Sequence, residues 1–215
     1  MIKIAPSILS ANLLDLKNEV LKVDQAGVEY IHIDVMDGHY VPNITFGSNI
    51  VRELRPITSK ILDVHLMISP VFSFIEEFVD AGANIISFHP EADPDPNKVI
   101  NQIQKSNCKT GIAIHPNVKV DEVTKFLHLV DIVIVMTVVP GFGGQQFMKN
   151  QINKISVLNE IKKNKGLKFE IEIDGGINKG NAAMCIEKGA DILVAGSYIF
   201  ESLNNNYKEL IESLR

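Results

Sequence analysis

YIHIDVMDGHYVPNITFG, residues 30–47, begins as a short apolar run and breaks into a turn-rich segment of Asp, His, Gly and Pro. The run Tyr30–Val35 has the length and the Ile/Val content of a strand buried on both faces. Seven other runs of the same kind flank it: Ile2–Ala5, Ile61–Met67, Ile85–Phe88, Thr110–Ile114, Ile132–Met136, Phe169–Ile173 and Ile192–Ala195. Between them the apolar residues take helical spacing. Asn12 is a good N-cap for Leu13–Leu14–Leu16–Val20–Val23. Phe72–Ile75–Phe78–Val79 ends at Ala81–Gly82, and Ile152–Ile155–Leu158–Ile161 ends in Lys162 and Lys163, whose charge suits a helix C-terminus. Ala26–Gly27, Ala81–Gly82 and Lys188–Gly189–Ala190 each supply a glycine just before a strand, where a helix must end and the chain turn back.

Eight strand–helix units imply parallel strands with right-handed crossovers, and in 215 residues they predict a (β/α)8 TIM barrel of small size. An open doubly wound sheet would favour a G-x-G-x-x-G turn after the first strand, and the sequence has none. No linker, low-complexity segment or composition shift divides the chain, so residues 1–215 read as one catalytic domain.

The composition, 46% hydrophobic and 22% charged, is that of a globular protein. A net charge of -5 argues against nucleic acid as a partner but leaves room for a small anion, which backbone dipoles can bind. No apolar stretch is long enough for a membrane span, and MIKIAPSIL lacks the features of a signal peptide. Cys108 and Cys185 are far apart, sit in helix-like contexts and read as packed free thiols. A soluble cytoplasmic protein is expected. A homo-oligomer is the expected assembly, although no residue pattern identifies an interface.

In a barrel, functional residues belong at the C-terminal ends of strands. There His32, Asp34 and Met36 alternate, so all three face one side of their strand, with steps of about 6.6 Å. Asp63, His65 and Met67 do the same on the next strand, and Asp174 ends the seventh. Two histidines and two carboxylates at three strand ends make a ligand set for one divalent metal ion: His32, Asp34, His65 and Asp174. Zn2+ is the first choice, and Fe2+, Mn2+ and Co2+ suit the same atoms. The second and seventh strands stand three steps apart in a ring of eight. Asp34 and Asp174 should therefore flank a substrate lying across the mouth, as inversion of a carbon requires. Met36, Met67 and Met136 recur at equivalent strand ends and suggest a soft, dry wall. His39, His89, His115 and His128 lack such company and are read as structural.

Glycines gather after three adjacent strands: Gly141, Gly143 and Gly144 in VMTVVPGFGGQ (135–145), then Gly175 and Gly176, then Gly196 before Ser197. Backbone N–H groups can close on phosphate oxygens at such turns, and a short helix opening at Ser197 would add its positive end. No Lys or Arg lies in these clusters, so backbone amides should carry most of the contact.

From APSILSAN (5–12) through HIDVMDGHYVPNITFG (32–47) and PGFGGQ (140–145) to AGSYIF (195–200), the chain resembles the ribulose-phosphate 3-epimerase family over its whole length. That resemblance implies interconversion of D-ribulose 5-phosphate and D-xylulose 5-phosphate by two aspartates and a metal. It assigns His32, Asp34, His65 and Asp174 as ligands, and Asp34 and Asp174 as the acid–base pair. Ser7, His65, the loop Gly141–Phe142–Gly143–Gly144, Gly175–Gly176 and Gly196–Ser197 match the family's substrate and phosphate contacts. Asn12, His115 and Val139 depart from the family's usual residues, none of them at a ligand or acid–base position. An epimerase for a related ketose phosphate such as D-allulose 6-phosphate would need the same machinery. A decarboxylase of the orotidine-phosphate kind carries D-x-K-x-x-D, where this chain has Asp34–Val35–Met36–Asp37 with no lysine. A barrel that only binds phosphates would not need all four ligands.

Overall fold

The computed structural model describes residues 2–202 and 206–215. Its strands are β1 Lys3–Pro6, β2 Tyr30–Met36, β3 Ile61–Met67, β4 Ile85–Phe88, β5 Lys109–Ile114, β6 Ile132–Met136, β7 Glu170–Asp174 and β8 Ile192–Ala195. All pair in parallel, in the order β1-β8-β7-β6-β5-β4-β3-β2. A parallel bridge between Ser7 and His32 brings β1 against β2 and draws the sheet into a ring. Helices α1 Leu16–Gln25, α2 Ser48–Leu54, α3 Ile75–Asp80, α4 Pro96–Lys105, α5 Val120–Val123, α6 Ile152–Lys165, α7 Ala182–Lys188, α8 Ser197–Phe200 and α9 Tyr207–Glu212 cover the outside. This is the (β/α)8 barrel that the alternation of runs predicts.

Strand parity sorts the side chains into two populations. Ile31, Ile33, Leu62, Val64, Leu66, Val133 and Val135 face the helices and form the main core with Val20, Val51, Ile75 and Leu158. The inward positions are apolar in part, with Ala5, Tyr30, Ile85, Ala113, Ile132, Ile134 and Val194 packed on one another. Other inward positions are polar, and His32, Asp63, His65, Ser87 and Glu172 are all wholly buried. Burying so many polar groups is costly unless they are partnered, so a barrel interior of this kind signals a site rather than a packing solution.

Three local expectations need correction. Asn12 does cap, but its side chain accepts from Leu14 N and starts a 3-10 turn, Leu13–Asp15, so that α1 begins only at Leu16. Leu13 and Leu14 belong to that turn and are 54% and 100% exposed, so they are not part of a core-facing stripe. Cys108 lies in the connection between α4 and β5, not in a helix, whereas Cys185 is buried in α7. The Lys188–Gly189–Ala190 stop behaves as expected: Gly189 takes φ 111 and ends α7. Among the described residues no helix is long and apolar enough to cross a membrane.

Candidate active site

Strand β2 turns Tyr30, His32, Asp34 and Met36 to the inside by its two-residue period. Its register with β3 sets His32 opposite Asp63, Asp34 opposite His65 and Met36 opposite Met67. Asp174 closes β7 opposite Met136 of β6 and Val194 of β8. Strands β1 and β8 separate β2 from β7, so the two aspartates approach from different parts of the ring.

They meet at the histidines. His32 Nε2 lies 3.4 Å from Asp34 Oδ1 and 3.9 Å from Asp174 Oδ2, and His65 Nδ1 lies 3.6 Å from each of the same oxygens. One atom from each of the four residues falls within 4.8 Å of every other. Four ligands placed tetrahedrally at about 2.1 Å from an ion would be about 3.4 Å apart, close to these separations. Neither His32 Nε2 nor His65 Nδ1 has a hydrogen-bond partner, although both are buried. Such orphaned nitrogens cost about 1–3 kcal/mol each, a cost a cation at their meeting point would remove. The residues therefore fit a divalent metal, and the group can bind one.

The electrostatics agree. Burial opposes a charge on His32, yet the nearby Asp34 and Asp63 hold its affinity for a proton well above the usual value. Burial likewise works against His65, but the nearby carboxylates of Asp174 and Asp34 raise it to about 9. Asp34 stays well below the usual carboxylate range, because His32 and His65 outweigh its burial. The centre of the cluster attracts positive charge, whether proton or metal.

The outer nitrogens are held too. His32 Nδ1 lies 2.7 Å from Asp63 Oδ2 and 3.2 Å from Glu172 Oε1. Burial, and then the charge of Asp63, push Glu172 up to about 8. The far side of His65, Nε2, lies 3.1 Å from Nε2 of His89, a residue that sequence reasoning assigned only a structural place. Glu172 was also missed, although its parity with Asp174 in EIEID was a readable signal.

Ser7, Met36, Met67, Met136, Gly141, Phe142, Gly143, Gly144, Gly175, Gly176, Gly196 and Ser197 all line one cavity with Asp34 and Asp174. His65, matched to a substrate contact, is wholly buried behind the aspartates together with His32, and neither lines that cavity. Ser7 Oγ donates to Asp34 Oδ2 at 2.5 Å. Gly176 takes φ 66, and a Cβ there would come within 2.8 Å of Phe147 N and 2.9 Å of Gln145 O, so this glycine lets the loops after β6 and β7 lie against each other. Thr137 ties the same loops, its N–H donating to Asp174 O at 2.7 Å and its hydroxyl to Gly175 O at 2.6 Å. Asn43 donates to Gly141 O at 2.8 Å and joins the loop after β2 to the glycine loop. Among the described residues no Lys or Arg lines the cavity, as the glycine clusters imply. Gly196 precedes α8, which does open at Ser197.

The fold and the buried His2Asp2 cluster define a (β/α)8-barrel protein with a candidate metal centre at its mouth. Residues 3–200 match the model of the ribulose-phosphate 3 epimerase family, and the chain belongs to that family, whose activity places it among the isomerases. A ribulose-phosphate 3-epimerase of Bacillus subtilis (strain 168) is 44% identical over 216 residues, covering 100% of this chain and 99% of the relative. A chloroplastic ribulose-5-phosphate-3-epimerase of Arabidopsis thaliana is 43% identical, covering 99% of this chain and 75% of the relative. Among solved structures, 3-keto-L-gulonate-6-phosphate decarboxylase from Vibrio cholerae superposes with a TM-score of 0.72 at 17% identity, covering 100% of this chain and 95% of the other. At that identity the likeness is one of fold alone.

Proposed function

We propose that this chain interconverts D-ribulose 5-phosphate and D-xylulose 5-phosphate by a 1,1-proton transfer at carbon 3, with Asp34 and Asp174 as the acid–base pair. The observation that carries the reading is the pair itself: two carboxylates from β2 and β7 on one cavity, beside three glycine turns. One aspartate takes the carbon-3 proton, and the electron pair of that bond moves into a 2,3-enediolate. The other aspartate, protonated beforehand, delivers its proton to the opposite face, and the carbon is inverted. The two carboxyl groups have then exchanged protonation states, ready for the reverse reaction.

General acid–base catalysis is worth roughly 10²–10⁴ in rate, or about 3–5 kcal/mol, too little for a weakly acidic C–H bond. One divalent ion held by His32, Asp34, His65 and Asp174, Zn2+ first and Fe2+, Mn2+ or Co2+ with the same ligands, would supply positive charge near the developing enediolate. Ser7 orients Asp34. Backbone amides of the loop Gly141–Gly144, of Gly175–Gly176 and of Gly196–Ser197 receive the phosphate. Met36, Met67 and Met136 keep the reacting carbon dry, so that the enediolate takes its proton from the acid and not from water.

The same reading puts the protein in a reducing cytosol, in the pentose phosphate pathway, with Cys108 and Cys185 as free thiols. It also makes the protein a homo-oligomer, for which exposed Leu14 and Phe74 offer apolar surface to cover; light scattering reads its mass. The deciding experiment runs D-ribulose 5-phosphate in deuterated water. Xylulose 5-phosphate should carry one deuterium at carbon 3, and D-allulose 6-phosphate should turn over with a much lower kcat/KM. Product without deuterium would sink the proton transfer, and a better hexulose substrate would move the assignment to that sugar.

A further inference from the structure

His89 stands between His65 and the half-exposed carboxylate of Glu91. Register sets Ser87 of β4 opposite His65, and His89, two residues on and of the same parity, lies just past the strand end. It is wholly buried. Its Nε2 faces His65 Nε2 at 3.1 Å, so one nitrogen must donate and the other accept. His89 Nδ1 has no partner closer than Glu91 Oε1 at 3.6 Å. That oxygen accepts from Tyr40 Oη at 3.0 Å, and the Tyr40 ring lies over His89 with centroids 4.8 Å apart.

The direction of the chain follows from its inner end. His65 Nδ1 points at the oxygens of Asp34 and Asp174, so on the metal reading above its lone pair is the ligand and its proton sits on Nε2. That proton can only be donated to His89 Nε2. The His89 proton is then on Nδ1, aimed at Glu91, whose position Tyr40 fixes.

We propose that His89 is a positioning residue: the chain Glu91–His89–His65 locks His65 as the Nε2–H tautomer and turns its Nδ1 lone pair toward the metal. His32 receives the same service directly from Asp63 at 2.7 Å. The two ligand histidines thus differ in how they are held, His32 by a buried carboxylate and His65 through a neutral imidazole. Outer partners of this kind govern ligand orientation, and their loss costs about 10–100-fold in metal affinity.

The test measures Zn2+ affinity of the full chain by competition with a chromophoric chelator, and histidine tautomers by 15N NMR of the unsubstituted protein. His89→Phe should weaken Zn2+ binding about 10–100-fold. His89→Gln, whose carbonyl can accept from His65 and whose amide can donate to Glu91, should restore it to within about threefold of wild type. Should His89→Phe fail to fold, Glu91→Ala at the surface should still weaken binding measurably. NMR should show His65 protonated at Nε2 and His89 at Nδ1. An Nε2–H proton on His89, or Zn2+ binding by His89→Phe or Glu91→Ala as tight as wild type, overturns the relay and leaves the metal site standing. Wild-type protein that fails to bind Zn2+, Fe2+, Mn2+ or Co2+ overturns both.

Discussion

The hydroxyl of Ser7 reaches Asp34 Oδ2 at 2.5 Å, while Oδ1 of the same carboxylate faces His32 and His65. The two oxygens of Asp34 therefore have separate tasks. One belongs to the ligand cluster, and the other is held by Ser7, which lines the same cavity as Asp34.

A hydrogen bond donated to a carboxylate favours its charged form, so Ser7→Ala should raise the proton affinity of Asp34 from its present low value. The folded-state shift is downward, hence the ionised form persists well into acid and is lost only as pH falls. Without Ser7 that loss should begin at higher pH. The acid limb of kcat/KM should move up, with kcat reduced about tenfold, near the worth of one charge-assisted hydrogen bond. An unmoved acid limb would show that Ser7 serves the fold and not the carboxylate.

Asp34→Asn and Asp174→Asn should each lower turnover by about 10²–10⁴-fold, the range for removal of a general acid–base group. Metal content measured on the same samples separates loss of the base from loss of the ion. More than a tenth of wild-type activity in either variant takes that residue out of the acid–base role.

Gly176→Ala tests the glycine turns. A Cβ there meets backbone atoms, Phe147 N and Gln145 O, at a φ of 66, so the loops after β6 and β7 must part. The strain costs about 1–3 kcal/mol of stability. KM for the phosphorylated substrate should rise about tenfold with kcat changed far less, and inhibition by inorganic phosphate should weaken in parallel. A change in kcat alone would move the phosphate elsewhere.

Removal of metal should be visible as heat stability. A ligand that binds only the folded chain at a thousandfold excess over Kd adds about 4 kcal/mol. For a chain of this size that corresponds to roughly 8–16 °C in Tm. Calorimetry after chelation, and again after adding back Zn2+ or Mn2+, reads the difference. An unchanged Tm would mean that the four residues hold no ion.

Much of this was legible in the sequence, because the interior of a barrel is written in two-residue steps. The expected limits of β3, β4, β6 and β8 coincide with the observed ones, since Ile and Val runs end where turn residues begin. The parity of His32 with Asp34, and of Asp63 with His65, put the right side chains inside. What escaped depended on neighbours that spacing does not reveal. His89 looks solitary along the chain, and only the β3–β4 register brings it to His65. Leu13 and Leu14 fit a helical stripe, yet Asn12 commits its side chain one turn early and leaves both leucines in solvent. Glu172 resembles a surface residue by type. Its place beside His32 follows from the alternation of Glu170, Glu172 and Asp174, with burial deciding which of them is internal.

The sheet begins at β1 and ends at β2, and among the described residues one parallel bridge, Ser7 to His32, joins those two margins. The ligand cluster straddles that seam, with His32, Asp34 and His65 on one side and Asp174 on the other. Whatever fills the cluster then acts as a second clasp across the seam where that bridge closes the hoop. Loosening of the hoop and disarming of the reaction centre are then one event, and amide exchange along the β1–β2 margin should slow when the clasp is fastened.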